Sequence, residues 1–518
     1  MKKVRVIARL DVKGPNVVKG VQFEALRVMG KPSVLAREYF LQGADELLYL
    51  DIVASLYRRD NLLHIVREAS KSIFIPFIAG GGVRSVEDIY DLLQAGAEKV
   101  AINTAATKRP ELITEAAQRF GSQCIVVSIE AKKNDNGGWE AFTDNGRQAT
   151  GLDAVTWAKQ VEKLGAGEIL LTSVDQEGTE RGLDTKLIAA VTSAVSIPVI
   201  ASGGAASAEE VAADIAGSGA DAVAVASMLH YGKTSIGSLK DALIGKKIEV
   251  RRPTASERAY VPKIKEEADM FDYNRFTRQQ IKDTVSIDPA AGEAVATVST
   301  SPRDADVTVI DYGINNVRSV VMAFESVNKT VAVATTSQEV ANARRLVLPG
   351  VGAFGDGMQA LHERGLDAAL KAKAKAGTPI LGICLGMQLL FSESEEFGTH
   401  KGLGLINGRV VSFPDPKKVS LPGYKLPHIG WGELRPGNGA WRHTILGSTE
   451  AGESVYFVHS FYPVPEDPTI VLAYNSYGGV DFCAAIKQHI ISATQFHPEK
   501  SGATGLRMLA AFCEKAAL

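Results

Sequence analysis

The sequence predicts an α/β protein made of a (β/α)8 barrel followed by a second α/β domain. Three observations predict it: short apolar runs alternate with amphipathic segments over residues 4–250, an internal repeat lies within them, and the alternation restarts after a polar stretch. The runs are Val4–Leu10, Glu46–Asp51, Ile75–Ala79, Val100–Ile102, Cys124–Ile129, Glu168–Thr172, Ile197–Ala201 and Ala222–Ala226. Runs this short and this apolar read as strands buried on both faces, and the segments between them, such as Ser85–Gln94 and Asp153–Leu164, read as crossover helices. Eight such units in about 250 residues have the size of a closed barrel, with an open doubly wound sheet as the competitor.

The repeat decides between these two. Ile78-Ala79-Gly80-Gly81-Gly82-Val83 with Asn103-Thr104 recurs as Ile200-Ala201-Ser202-Gly203-Gly204-Ala205 with Ala226-Ser227. Gly43-Ala44-Asp45-Glu46 is echoed by Gly165-Ala166-Gly167-Glu168, and Val6–Asp11 by Ile125–Glu130. Four units written twice imply two half-barrels, hence a TIM barrel with pseudo-twofold symmetry over residues 1–251. From 252 to 305 the periodicity fails and Pro, Ala, Ser and Thr accumulate, as in a linker, with one helix expected at Arg275–Ile281. Residues 306–518 resume with the apolar strand Val307–Ile310 and form the second domain.

Composition excludes several classes. The 518 residues carry 57 Lys plus Arg against 59 Asp plus Glu, so nothing suggests the basic face that nucleic acid or an anionic membrane requires. No apolar run approaches the roughly 18 residues of a membrane span, and Arg9 with Asp11 interrupts any signal-peptide core, so a cytoplasmic location is expected. The four cysteines are scattered without a CxxC pair, which suggests neither a disulfide framework nor a thiolate zinc site. No metal and no cofactor is expected.

The strongest motif is Thr378–Phe391, where an apolar strand enters a helix through Gly382-Ile383-Cys384-Leu385-Gly386. Small residues flanking the cysteine permit the strained turn of a nucleophile elbow, and the helix N-terminus favours a thiolate. Gln495-Phe496-His497-Pro498-Glu499 supplies a base: His497 takes the thiol proton and Glu499 orients the ring. This combination resembles the class I glutamine amidotransferases over most of 306–518. The resemblance implies an oxyanion hole from Gly350, Val351, Gly352 and Leu385, with Gln388 and Glu396 holding glutamine. Asp311-Tyr312-Gly313, Pro427–Trp431 and Phe457–Ser460 further resemble the glutaminase subunits of the imidazole glycerol phosphate synthase family. Asn315 departs from that family's usual glycine.

In the barrel, Gly81-Gly82 and Gly203-Gly204 follow strands on the face where barrels place their active sites. Their amides, with Asn103, Thr104, Ala226 and Ser227, form two symmetric phosphate cradles and so fit a ligand carrying two phosphates. Asp11 and Glu130, at the ends of strands one and five, are candidate acid and base across one mouth. Residues 1–250 resemble the cyclase subunits of the same family, in stretches such as Val17–Val21, Leu50–Ser55, Gly121–Val127 and Glu168–Ser173. The resemblance adds Lys19, Asp51 and Thr172 to the substrate site and implies an ammonia gate of Arg5, Glu46, Lys99 and Glu168. It also implies a barrel–glutaminase contact between Glu98 and Lys500. Departures cluster at the mouth: Glu130 and Glu177 stand for Asp, Val28–Pro32 lacks the usual acids, and Ala8-Arg9 replaces Pro-Cys.

Two readings follow. One is a bifunctional synthase in which ammonia crosses the barrel to a doubly phosphorylated ribulosyl aminoimidazole carboxamide. The other resembles paralogues of surface-polysaccharide synthesis, in which the barrel conducts ammonia to a separate sugar amidotransferase.

Overall fold

The computed structural model describes residues 3–54, 61–253, 301–313, 316–419, 421 and 423–514. Most of the expected linker, including the helix at 275–281, lies outside the described residues, as do Asn315 and Ser55.

Eight parallel strands close into a barrel: β1 (Arg5–Lys13), β2 (Glu46–Asp51), β3 (Phe77–Gly80), β4 (Lys99–Ile102), β5 (Ile125–Lys133), β6 (Glu168–Ser173), β7 (Val199–Ser202) and β8 (Ala222–Val225). Each pairs with its neighbours in sequence, β8 pairs with β1, and β6 pairs with β5. The lumen is filled by side chains of alternate residues, as the two-residue period of a strand requires. Ile7, Leu48, Ile78, Ala101, Val126, Leu170, Ile200 and Ala222, one from each strand, form its middle layer. Two residues down each strand lies a lower layer and two residues up an upper one. Both are polar.

The repeat is visible in the local structure. Helix α1 (Val86–Gln94) is capped by Ser85 in a capping box with Asp88, and α2 (Ala208–Ser218) by Ser207, which accepts from the Glu210 amide. Each cap contributes about 1 kcal/mol to its helix. Each half also opens with a nine-residue strand, β1 or β5, whose upper end runs into an antiparallel hairpin, Asn16–Gly30 or Trp139–Asp153. Hairpin pairing prolongs the extended backbone, so Asp11 and Glu130 lie inside their strands rather than at the ends.

The second domain is built on a mixed sheet of β9 (Val307–Ile310), β10 (Val331–Ala334), β11 (Leu346–Gly350), β12 (Ile380–Cys384), β15 (Val471–Tyr477), β16 (Val480–Gln488) and β17 (Ile491–Thr494). Its order is β10-β9-β11-β12-β17-β16-β15, with the two-residue strand Arg435–Pro436 at the edge beside β15, parallel as far as β17 and antiparallel beyond. A separate ribbon of β13 (His428–Glu433) and β14 (Ser454–His459) carries Ile429, Trp431, Tyr456 and Val458 into the apolar cluster of the barrel. In return Phe74, which precedes β3, packs into the cluster of the second domain. The domains therefore share core across the N-terminal end of the barrel, where burial of apolar side chains drives their docking. Among the described residues no helix is long and apolar enough to cross a membrane.

Candidate active site

Strand β12 delivers Cys384 to the start of the short helix α3 (Leu385–Leu389), with Cys384 itself at φ +54°. That left-handed backbone is costly for a residue with a Cβ and marks a strained elbow. Close packing explains the glycine after it, because a Cβ at Gly386 would overlap the Leu348 carbonyl. His497 and Glu499 follow β17, and His497 Nδ1 pairs with Glu499 Oε1 at 2.7 Å, both side chains buried. Burial opposes the imidazolium, but the Cys384 sulfur and Glu499 outweigh it and raise His497 well above its ordinary pKa. Nε2 has no hydrogen-bond partner among the described residues, and His497 and Cys384 line one pocket. The ring is thus held by one nitrogen and offers the other.

That pocket is also lined by Val351, Gly352, Leu385, Gln388 and Glu396. Gln388 Nε2 donates at 3.0 Å to the Phe461 carbonyl and to Gln495 Oε1, and Gln495 Nε2 reaches Cys384 Sγ at 3.7 Å. Glu396 accepts the Phe354 amide at 2.7 Å, and burial pushes its carboxyl up to about 7. Gly350 ends β11 against Leu385 and Gly386, so the expected oxyanion residues converge on Cys384. Gln123, from the barrel, lines the same pocket.

Behind the pocket stands the lower layer of the barrel. Arg5 bonds Glu46 at 2.7 Å and also bonds Glu168, while Lys99 bonds Glu46 at 2.8 Å and Glu168 at 2.7 Å, all four side chains at most 2% exposed. Each cation touches both carboxylates, closing a ring around the axis. Tyr456 of β14 contributes a buried hydroxyl without a hydrogen-bond partner among the described residues; burial and the nearby Glu46, Glu168 and Glu98 carboxylates push its pKa far up. The expected cross-domain pair is present: Lys500 Nζ lies 2.7 Å from Glu98 and over the Phe77 ring at 4.5 Å. Trp431 Nε1 donates to the Asp45 carbonyl at 3.1 Å, and Val351 packs against the barrel's apolar cluster.

At the other end, Gly81 and Gly203 have φ of +105° and +95°, and a Cβ at either would strike the backbone of Asp51 or Ser173, which end β2 and β6. The pseudo-symmetry thus extends to the contact that demands glycine. Asn103 and Ala226 begin the short helices Thr104–Lys108 and Ser227–His230. Asn103 donates to the Phe142 carbonyl at 3.3 Å and Thr104 to Asp144 at 3.4 Å, so a hairpin flanks one cradle. The other meets the loop after β6, where the Gly182 amide donates to the Gly204 carbonyl at 2.9 Å, while Gly82 abuts Ala54. Asp51 accepts the Val53 amide at 3.0 Å.

Asp11 and Glu130 have opposite surroundings. Burial raises the Asp11 carboxyl, but Arg9 and Lys19 overcompensate and lower it to about 2. Burial dominates for Glu130, which accepts the Gly146 amide at 2.8 Å and is raised to about 7. Among the described residues no group of three or more His, Cys, Asp or Glu side chains is placed to hold a metal ion.

Residues 5–235 match the family model described as histidine biosynthesis protein, and residues 308–516 that of class I glutamine amidotransferases. A curated relative, the imidazole glycerol phosphate synthase subunit HisF of Legionella pneumophila, is 61% identical over 210 residues, covering 40% of this chain and 99% of that protein. The chain belongs to the imidazole glycerol phosphate synthase family.

As a member of that family it is an enzyme, with a glutamine amidotransferase domain fused behind a cyclase-like barrel. Three further residues stand at the Cys384 pocket and the barrel mouth that the sequence pattern does not single out as site residues. Gln123 enters the Cys384 pocket only because the domains dock, which no local pattern encodes. Gln495 was visible two residues before His497, and Arg9 was visible as an inward position two residues from Asp11 on a buried strand.

Proposed function

We propose that the chain hydrolyses glutamine at Cys384 and passes the ammonia along the barrel axis to a doubly phosphorylated ribulosyl aminoimidazole carboxamide. The products are glutamate, imidazole glycerol phosphate and the aminoimidazole carboxamide ribotide. One observation carries this: the Cys384 pocket and the Arg5–Glu46–Lys99–Glu168 ring stand on either side of one docked interface, with Tyr456 between them. Ammonia released there has a route away from bulk water, which would protonate it.

In this mechanism His497 Nε2 takes the thiol proton as Sγ attacks the glutamine amide carbon. The Gly350–Gly352 and Leu385 amides stabilise the oxyanion, and His497 returns the proton to the departing ammonia. Water then cleaves the thioester to glutamate. At the mouth, Glu130, raised to about 7, carries the proton-donor role, and Asp11, lowered to about 2, remains an anion. The two glycine cradles hold the two phosphates. The test is glutamine plus the ribulosyl precursor, with the imidazole product followed by mass and absorbance. Turnover is expected with the parent chain, and Cys384→Ala should abolish glutamine-driven but retain ammonia-driven synthesis; loss of both would exclude two separable sites.

A second reading, an ammonia conduit serving a sugar amidotransferase, is favoured by one specific feature. Both Asp11 oxygens are engaged, by Arg9 at 2.8 Å and Lys19 at 3.1 Å. Glutaminase activity with a precursor that neither reacts nor stimulates it is the outcome expected of that reading.

A further inference from the structure

The mouth contains a second charge ring, in which the reaction above gives a role to Asp11 alone. Arg9 Nε donates to Asp11 Oδ1 at 2.8 Å, and its Nη1 lies 3.8 Å from Glu177. Lys19 Nζ donates to Asp11 Oδ2 at 3.1 Å and also to Glu177. Each cation again faces both carboxylates, as in the lower ring.

Arg9 starts on β1 yet donates from Nη1 to Ser202 Oγ on β7 at 2.9 Å and to Thr172 Oγ1 on β6 at 3.3 Å. In the closed sheet β7 and β8 separate β1 from β6, so the guanidinium crosses the lumen directly above Leu170 and Ile200. The side chain is 2% exposed, and among the described residues its Nη2 donates to no protein group. Ser202, which it grips, immediately precedes the Gly203-Gly204 loop. A buried guanidinium with a spare amino group beside such a loop is built to take an oxyanion in bidentate fashion.

We propose that Arg9 is the bar of an exit gate: it closes the upper end of the lumen until an oxyanion seated at Gly203–Gly204 draws it away from Asp11. This rests on the reading that ammonia travels the lumen, and it adds a second closure to that route. Because the ring is internally neutral, an anion that pairs fully with the Arg9 guanidinium takes it from Asp11. The exchange releases Asp11 and unblocks the axis together.

The test uses the full chain labelled with ¹⁵N-arginine, without glutamine or precursor, titrated with inorganic phosphate. The Arg9 Nε–H signal, assigned by its loss in Arg9→Lys, should shift saturably, and the methyl signals of Leu170 and Ile200 should shift with it. Arg9→Ala should weaken phosphate binding about tenfold, the effect of losing one charge-assisted pair. Arg9→Lys, which keeps the charge and guards against a folding defect, should fall between. Phosphate bound with the Arg9 signal unmoved would make Arg9 a fixed plug and overturn the proposal. Equal binding by Arg9→Ala, or no phosphate binding at all, would overturn it too. None of these readings depends on turnover, so failure here is separable from failure of the synthase assay.

Discussion

The two ends of the barrel lumen use the same chemistry for different ends. Below, Arg5 and Lys99 bond Glu46 and Glu168 with every distance at hydrogen-bond length, and among the described residues no neutral side chain shares the cations. Above, Arg9 and Lys19 face Asp11 and Glu177, but one edge opens to 3.8 Å and two hydroxyls share the arginine. Ionic groups this deep are stabilising only when each is fully paired. The lower ring meets that condition, each of its cations bonding both carboxylates. The upper ring meets it loosely, which leaves it able to exchange a partner.

The largest expected effect separates the rings by stability. Lys99→Met removes one lower cation and leaves Glu46 and Glu168 sharing Arg5 alone, a buried charge without compensation. The expected loss is about 3 to 5 kcal/mol, read as a fall in apparent melting temperature of the full chain. Lys19→Met should cost clearly less, since the looser upper ring relaxes around a missing cation. Equal losses would show that the two rings are equally tightly paired.

A second, smaller effect contrasts the two half-barrels through pH. Asp11 is lowered to about 2, so its contribution is complete above its unfolded pKa near 4 and is lost as pH falls from there toward 2. Glu130 is raised to about 7, so the folded chain holds a proton the unfolded chain has released, and stability falls as pH rises from about 4.5 to 7. Each limb amounts to about 2 to 3 kcal/mol. Glu130→Gln should flatten the upper limb and Asp11→Asn the lower, both read from apparent melting temperature against pH. A Glu130→Gln profile that keeps its upper limb would assign that limb to another group.

Much of this molecule is legible in the sequence because it is written twice or written locally. The Gly81 and Gly203 loops, the Ser85 and Ser207 caps and the Cys384 elbow are each set by a few adjacent residues. The upper ring is different: Arg9 and Asp11 come from β1, Lys19 from a hairpin and Glu177 from the loop after β6. Only closure of the barrel brings them together. The alternation of β1 does point Arg5, Ile7, Arg9 and Asp11 inward, but an inward arginine reveals its partners only once the opposite wall is known. The halves also diverge at the barrel mouth, since the echo of Val6–Asp11 in Ile125–Glu130 sets Ser128 against Arg9. Symmetry therefore predicts the scaffold better than it predicts the charges.

The smallest expected effect bears on why the upper ring is loose. Ser202→Ala removes the 2.9 Å acceptor of Arg9 Nη1 and leaves Thr172 at 3.3 Å as the remaining hydroxyl. One such bond contributes about 1 kcal/mol net. If Ser202 holds the bar closed, its removal makes Arg9 easier to draw away, and inorganic phosphate should bind up to about fivefold more tightly. If Ser202 instead pre-positions Arg9 for the anion, phosphate binding weakens, and the hydroxyl belongs to the bound state rather than the closed one. The lower ring offers no such neutral acceptor to remove, because among the described residues every side-chain bond it makes is between full charges.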